Sequence, residues 1–134
     1  MGVRPLLAVL ADYANVSQEG KLNICGIFSN IASLGVPLNH PQLHVIVVLE
    51  SERTDAGEHA LALDLIKGDG SRVIQIAGTM ALGTPEPGQT LKTNHIFKLA
   101  NVRFDAFGAY EFKVLVDGDV LASIPMQVSE AQRA

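Results

Sequence analysis

Histidines are the side chains in this sequence best suited to acid–base or metal chemistry. The chain has four of them, His40, His44, His59 and His95. His40 and His44 stand four residues apart, a spacing that puts both side chains on one face of a strand, but Pro41 interrupts that geometry. Because a zinc site needs three or four converging ligands, we expect no metal site here.

Acidic residues cluster just before the third histidine. They are Glu50, Glu52, Asp55 and Glu58, with Arg53 among them. Their spacing is not that of an EF-hand calcium loop, so the segment is predicted to be the solvated tip of a hairpin. A hairpin centred near Asp55 would pair His59 with Ser51 and keep it about 23 Å from His44.

Nucleophile and nucleotide motifs are missing from the sequence. Cys25 is the one cysteine and cannot form an internal disulfide, which favours a reducing compartment or a buried inert thiol. Gly68-Asp69-Gly70 lacks the third glycine of a dinucleotide fingerprint, and there is no G-x-S-x-G elbow. We therefore predict a protein that is not an enzyme and has no catalytic residues and no cofactor. The alternative is a small-ligand or hydrolytic protein in which His40, His44 or His95 meets a carboxylate at the edge of a sheet.

The amino-acid composition excludes several classes of protein. The 134 residues include 14 acidic and 10 basic side chains, for a net charge of −4, and 48% of residues are hydrophobic. These values exclude a disordered chain, a basic nucleic-acid binder and a disulfide-built miniprotein. The length suits one domain covering residues 1–134.

The apolar run at residues 6–11 is short for a signal peptide and is followed directly by Asp12 and Tyr13. No apolar stretch approaches the roughly 18 residues of a membrane-spanning helix. The expectation is a cytoplasmic protein with no membrane or nucleic-acid partner.

Alternating hydrophobicity predicts about eight strands and no helix. They cover residues 5–13, 21–28, 43–50, 59–67, 72–82, 94–104, 109–116 and 120–128. The long connections at residues 29–42 and 83–92 are predicted to cross between sheets, and residues 129–134 to form a frayed tail. The fold class is therefore all-β, as a single-domain antiparallel β-sandwich, with a closed barrel as the alternative.

Two of these strands lack the alternation expected of a sheet with one wet face. Residues 6–11 and 45–49 are apolar on both faces, so either residues 29–42 or a second subunit should cover them. This predicts a homo-oligomer, most simply a dimer, or a complex with a protein partner. The candidate interface is Leu6, Ala8, Leu10, Ile46 and Val48.

The last two predicted strands should form a hairpin. A three-residue loop at residues 116–118, with Gly118 left-handed, would pair Val114 with Val120 and keep the apolar side chains on one face.

Residues 105–112 resemble the corner that opens strand F in immunoglobulin-like domains. Asp105 and Gly108 supply the turn, and Tyr110 is placed to bond its hydroxyl to nearby backbone. The resemblance implies an immunoglobulin-like sandwich in which Tyr110, Asp105 and Gly108 have structural roles, and Gly118 has one in the predicted hairpin loop.

A wider resemblance covers most of the chain. It is carried by Asp12-Tyr13-Ala14, Ser17-Gln18-Glu19-Gly20-Lys21-Leu22-Asn23-Ile24, Gly26-Ile27-Phe28, Val116-Asp117-Gly118 and residues 125–128. The sequence is similar to a family of small uncharacterised bacterial proteins, which implies a stand-alone β domain with no assigned activity. The function we expect is a non-enzymatic binding or assembly module, with a structural component of a phage-like or envelope assembly as a further alternative.

Overall fold

A computed structural model describes residues 2–132 and shows a protein built almost entirely of β-strands. The strands are Arg4–Val16 (β1), Leu22–Phe28 (β2), Asn30–Ser33 (β3), Leu38–Ser51 (β4), Gly57–Lys67 (β5), Arg72–Leu82 (β6), Leu91–Phe104 (β7), Gly108–Val116 (β8) and Asp119–Glu130 (β9). A 3-10 turn at Arg53–Asp55 joins β4 to β5. The predicted all-β class is confirmed, with one strand more than expected.

The strands form two sheets that pack as a sandwich. One sheet has four strands in the order β2-β1-β4-β7, and the other has five in the order β3-β9-β8-β5-β6. Neighbouring strands are antiparallel except β3 and β9, which run parallel. The prediction of a purely antiparallel sandwich therefore missed one parallel pair.

Alternate side chains of both sheets meet in one core. In β4 the odd-numbered residues Val45, Val47 and Leu49 point into it, as do Phe112 and Val114 of β8. All five are fully buried. Core-facing residues therefore alternate with outer-facing residues along these strands, even in β4, where both sets are apolar.

The connection between β4 and β5 differs from the predicted hairpin. β4 belongs to the four-stranded sheet and β5 to the five-stranded sheet, so the 3-10 turn crosses between sheets. His59 consequently pairs with Met80 of β6 and not with Ser51. Residues 29–42, predicted to be a long crossover, do pass between the sheets, but they contain β3 and the start of β4, including Pro41.

The β8–β9 hairpin also differs in register from the prediction. Val116 pairs with Asp119 across a two-residue turn in which Asp117 and Gly118 both have positive φ, 51° and 85°. This is the geometry of a type I′ turn. The extra residue is accommodated further along β9, between the Leu115–Val120 and Val114–Ala122 pairs. Val114 therefore faces Ala122, and Val120 is 52% exposed.

The C-terminal part of the described chain is paired with its neighbours. Ser129 and Glu130 belong to β9, and Ala131 donates its N–H to the carbonyl of Ser33 at 2.8 Å. The last two residues of the predicted frayed tail, 133 and 134, lie outside the described residues. Nowhere in residues 2–132 is there a helix with the length and hydropathy needed to cross a bilayer.

Candidate functional site

The histidine that meets a carboxylate is His59. Its Nδ1 lies 2.6 Å from Oδ2 of Asp117, and its Nε2 lies 2.5 Å from the backbone carbonyl oxygen of Asp55. The other carboxylate oxygen of Asp117 accepts the N–H of Ala60 at 2.9 Å. Since both ring nitrogens face oxygen acceptors, the ring can donate at both positions only as the imidazolium.

Electrostatics at His59 follow from that geometry. The hydrogen bond to Asp117, reinforced by the Asp55 carbonyl, raises the pKa of His59 above its usual value. The same bond to His59, with the Ala60 N–H, lowers the pKa of Asp117. With both nitrogens occupied by protein oxygens, His59 joins the β8–β9 turn to the start of β5 and offers no nitrogen to a substrate.

Asp55 is a structural anchor and not part of a solvated tip. It is 5% exposed, and its carboxylate accepts the backbone N–H groups of Gly2 at 3.2 Å and of Glu52 at 2.8 Å. The prediction for this acidic segment is therefore wrong at Asp55. The carboxylate ties the N-terminal residues to the turn that crosses between the sheets.

The other three histidines do not meet a carboxylate in the described contacts. His44 is buried on the outer face of the four-stranded sheet, where its Nδ1 accepts the N–H of Ala14 at 2.9 Å. His40 lies beside Phe28, with ring centroids 5.9 Å apart. His95 contacts the hydroxyl of Thr93 through Nε2 at 3.0 Å, and burial lowers its pKa. Among residues 2–132, no three His, Cys, Asp or Glu side chains form a group that could hold a metal ion.

Tyr110 hydrogen-bonds to the backbone of the turn that precedes β8. The hydroxyl donates to the carbonyl of Ala106 at 2.8 Å and accepts the Ala106 N–H at 3.3 Å. Tyr110 is 3% exposed, and its ring packs edge-on against Phe104 with centroids 5.0 Å apart. Gly108, the first residue of β8, has φ 127°, a conformation that favours glycine.

The two strands that are apolar on both faces are partly covered from within the chain. Ile46 lies on the outer face and is fully buried in a small cluster with Ala11 and Ala14. Val9, Leu22, Ile24 and Ile96 pack against this cluster. The end of the β1–β2 hairpin thus supplies the cover, a third possibility beside residues 29–42 and a second subunit.

The candidate interface residues consequently separate into two groups. Leu10 and Ile46 are 1% and 0% exposed and offer no surface to a partner, while Ala8 packs against the core. Leu6 is 49% exposed, and Val48 is partly buried. Other exposed apolar side chains on the same sheet are Leu7, Tyr13, Val16 and Ile27, the last at 63%.

The position of strand β6 at a sheet edge is the feature that sequence reasoning missed. It forms one edge of the five-stranded sheet and pairs with β5 without irregularity from residue 74 to residue 82. Residues 73–82 include no charged side chain and no proline. Residues 75–79 are exposed, and Ile76 is 37% exposed although its partner Leu63 is in the core.

The other three sheet edges carry features that discourage pairing with another chain. β7 bears Lys92, Lys98 and Arg103 and is distorted at Asn101, which has φ 53°. β2 is interrupted by Gly26 at φ 75°. β3 has four residues and is the shortest strand among the described residues. The uncharged composition of β6 is visible in the sequence, but its position at an edge is not.

Comparison with known proteins assigns the chain to a family. The fold and the contacts above define an all-β sandwich domain. The chain belongs to a family of unknown function, DUF6941, whose model matches residues 6–129. A search of curated proteins finds no match.

One similar solved structure is the Pseudomonas fluorescens alkylpurine DNA glycosylase AlkC bound to DNA containing an abasic site analog. The TM-score is 0.54 at 14% sequence identity, and the match covers 96% of this chain. This chain spans 30% of the length of that glycosylase chain. At this identity the likeness concerns the fold alone.

Proposed function

We propose that this protein is a non-enzymatic assembly module that associates with a second copy of itself through the β6 edge. The observation that carries the proposal is the unprotected edge, where residues 74–82 form a regular strand with no charge, proline or bulge. An exposed regular edge presents unpaired N–H and C=O groups and serves as a template for another strand.

A second copy is the occupant that the composition of the edge favours. Its side chains are apolar or neutral, so two copies can approach without bringing like charges together. An antiparallel pairing of the same strand is isologous and closes as a two-fold dimer, the commonest oligomer. The two five-stranded sheets would then form one continuous sheet.

Enzymatic and DNA-binding functions receive less support. The alternative required His40, His44 or His95 to meet a carboxylate, and none of them does so in the described contacts. His59, which does meet one, has both ring nitrogens bonded to protein oxygens and so offers no free base. The net charge of −4 gives no electrostatic attraction to phosphates. The exposed thiol of Cys25 suits a reducing compartment, in keeping with a cytoplasmic protein.

Sedimentation of the purified protein over a range of concentrations tests this function. We expect the wild-type chain to pass from monomer to dimer as concentration rises. Ala77→Lys places an ammonium group at the exposed middle of β6 and should raise the dimer dissociation constant at least about tenfold. Ile27→Lys, on the exposed face of the other sheet, is the matched control and should leave it unchanged.

Two outcomes would overturn the proposal. One is a wild-type chain that stays strictly monomeric at high micromolar concentration. The other is a dimer that Ile27→Lys dissociates and Ala77→Lys does not, which would place the interface on the four-stranded sheet. Equal urea midpoints and matching circular dichroism spectra would show that both variants are folded.

A further inference from the structure

Gly78 lies in the middle of β6, where neither the backbone conformation nor the surrounding space requires a glycine. Its φ lies outside the left-handed range, and a Cβ built on it would meet no heavy atom within 4 Å. Glycine weakens the interior of a strand, and its presence there often marks a place where another backbone or ligand approaches closely. Something outside the subunit therefore accounts for this glycine better than the fold does.

Ile76 is the complementary feature two residues away. It points to the same side of the sheet as Gly78, because successive side chains alternate. This is the core-facing side, yet Ile76 is 37% exposed and Gly78 is exposed. The core-facing side of β6 is therefore uncovered at its middle, with a large apolar side chain beside an open backbone.

We infer that β6 pairs antiparallel with β6 of a second copy in a register centred on Ala77, so that Ile76 of each copy lies over the partner's Gly78. This inference rests on the proposed self-association and specifies its geometry. With Ala77 on the two-fold axis, residues equally far before and after it lie opposite each other.

Each pair in this register is chemically matched. Ile76 faces glycine, Ile74 faces Met80, and Gln75 faces Thr79. The first two pairs extend the apolar, core-facing side of the sheet. The third pair places an amide opposite a hydroxyl on the solvent-exposed outer side. Ala77 faces its own counterpart, where small side chains allow close approach.

Cysteine cross-linking tests the register, with Cys25→Ser as the background because Cys25 is exposed. In Ala77→Cys the two Cα atoms would lie about 4.5–5.5 Å apart, within the range of a disulfide. Mild oxidation should therefore give covalent dimer much faster than it does with Cys25 in the wild-type chain. Thr79→Cys should not link to itself, since the two sites would be about 14 Å apart along the strand.

Mixing two single variants sharpens the test. Gln75→Cys and Thr79→Cys should each remain unlinked alone and form a mixed disulfide when combined, because each faces the other in this register. Self-linking of Thr79→Cys or Gln75→Cys as fast as Ala77→Cys would overturn the inference, since it would indicate a shifted register.

The glycine itself can be tested by exchange. Gly78→Val suits a strand and should leave the monomer folded, but its side chain would meet the partner's Ile76. We expect the dimer dissociation constant to rise about tenfold or more. The double variant Ile76→Gly with Gly78→Ile restores one isoleucine opposite one glycine and should recover association.

The outcomes separate this inference from the proposed function. A wild-type monomer at all concentrations would remove both. A dimer that Ala77→Lys dissociates, but that forms no Ala77→Cys disulfide and is indifferent to Gly78→Val, would leave self-association intact and overturn the register. Recovery in the exchange variant is the result that a merely structural role for Gly78 would not give.

Discussion

At the scale of single residues, two side chains fix a turn by making two hydrogen bonds each. Tyr110 reaches back to both polar groups of Ala106, and His59 connects the Asp117 turn to the carbonyl of Asp55. In each case one side chain satisfies two partners, so a conservative substitution leaves two partners without their bonds.

Tyr110→Phe should lower the free energy of unfolding by about 1 kcal/mol or more, because the Ala106 carbonyl and N–H lose the hydroxyl in a half-buried turn. Urea denaturation measures the effect. Tyr13→Phe is the matched control, since Tyr13 is 47% exposed and should tolerate the change. Equal midpoints for Tyr110→Phe and the wild type would mean that the corner bond contributes nothing.

The His59–Asp117 pair predicts a pH dependence of stability. The raised pKa of His59 means that its contribution is complete below its unfolded value of about 6.5 and is lost as pH rises through the folded value. The lowered pKa of Asp117 means that its contribution is present above its unfolded value and is lost as pH falls through the folded one.

Urea midpoints measured from pH 5.5 to pH 9 for the wild type and for His59→Gln test the contribution of His59. The difference in midpoint between the two proteins should shrink on the alkaline side. An NMR titration should also show the pKa of His59 falling toward its usual value in Asp117→Asn. Asparagine tolerates the positive φ of residue 117, so the turn is kept. A His59 pKa that is the same in the wild type and in Asp117→Asn would contradict the assignment.

At the scale of elements, the β1–β2 hairpin does more than pair two strands. Its far end packs on the outer face of β4, where Ala14 bonds to His44 and Leu22 and Ile24 contact the cluster around Ile46. A four-stranded sheet would otherwise leave Ile46 in water. The hairpin thereby gives the apolar β4 a cover on its second face.

His44→Leu should destabilise the protein by about 1–3 kcal/mol, because the buried N–H of Ala14 loses its acceptor while the volume is roughly kept. Hydrogen exchange should show faster exchange at Ala14 and Ile24 than in the wild type. His40→Leu is a control on the same strand. If His44→Leu exchanges no faster than His40→Leu at these amides, the hairpin is held by its apolar contacts alone.

The local hydrophobic pattern of the sequence predicted most strands. It could not predict which strands pair with each other, because pairing depends on residues far apart in the chain. Alternation predicted β6 with the boundaries that the structure has, because turn residues mark both ends of this strand. It missed β3, whose four residues are too few to show a period, and it could not assign β4 and β5 to different sheets. The position of β6 at the edge of its sheet could not be predicted for the same reason. A strand lies at an edge when no strand pairs with its second side, and the local sequence does not show this.

At the scale of the whole molecule, a β6 dimer leaves another surface free. Leu7, Tyr13 and Ile27 lie exposed on the four-stranded sheet, away from the β6 edge. A two-fold contact closes on itself and gives dimers only. A role as a component of a larger particle would therefore need this second surface as well.

The dimer should be insensitive to salt. The proposed contact consists of backbone hydrogen bonds and uncharged side chains, whereas each subunit has a net charge of −4. Raising the salt concentration screens the repulsion between subunits and removes no ion pair at the interface. Sedimentation at low and high sodium chloride should show a dimer fraction that holds or rises, and a marked fall would indicate an interface built on ion pairs.

The parallel pairing of β3 with β9 has a consequence for the order of events during synthesis. β1, β2, β4 and β7 have all been made once residue 104 has been added, so the four-stranded sheet can form early. β9, however, lies between β3 and β8, and it spans residues 119–130. Until residues 119–130 leave the ribosome, β8 and β3 have no strand between them, and the edge of β8 is open to pairing with other nascent chains.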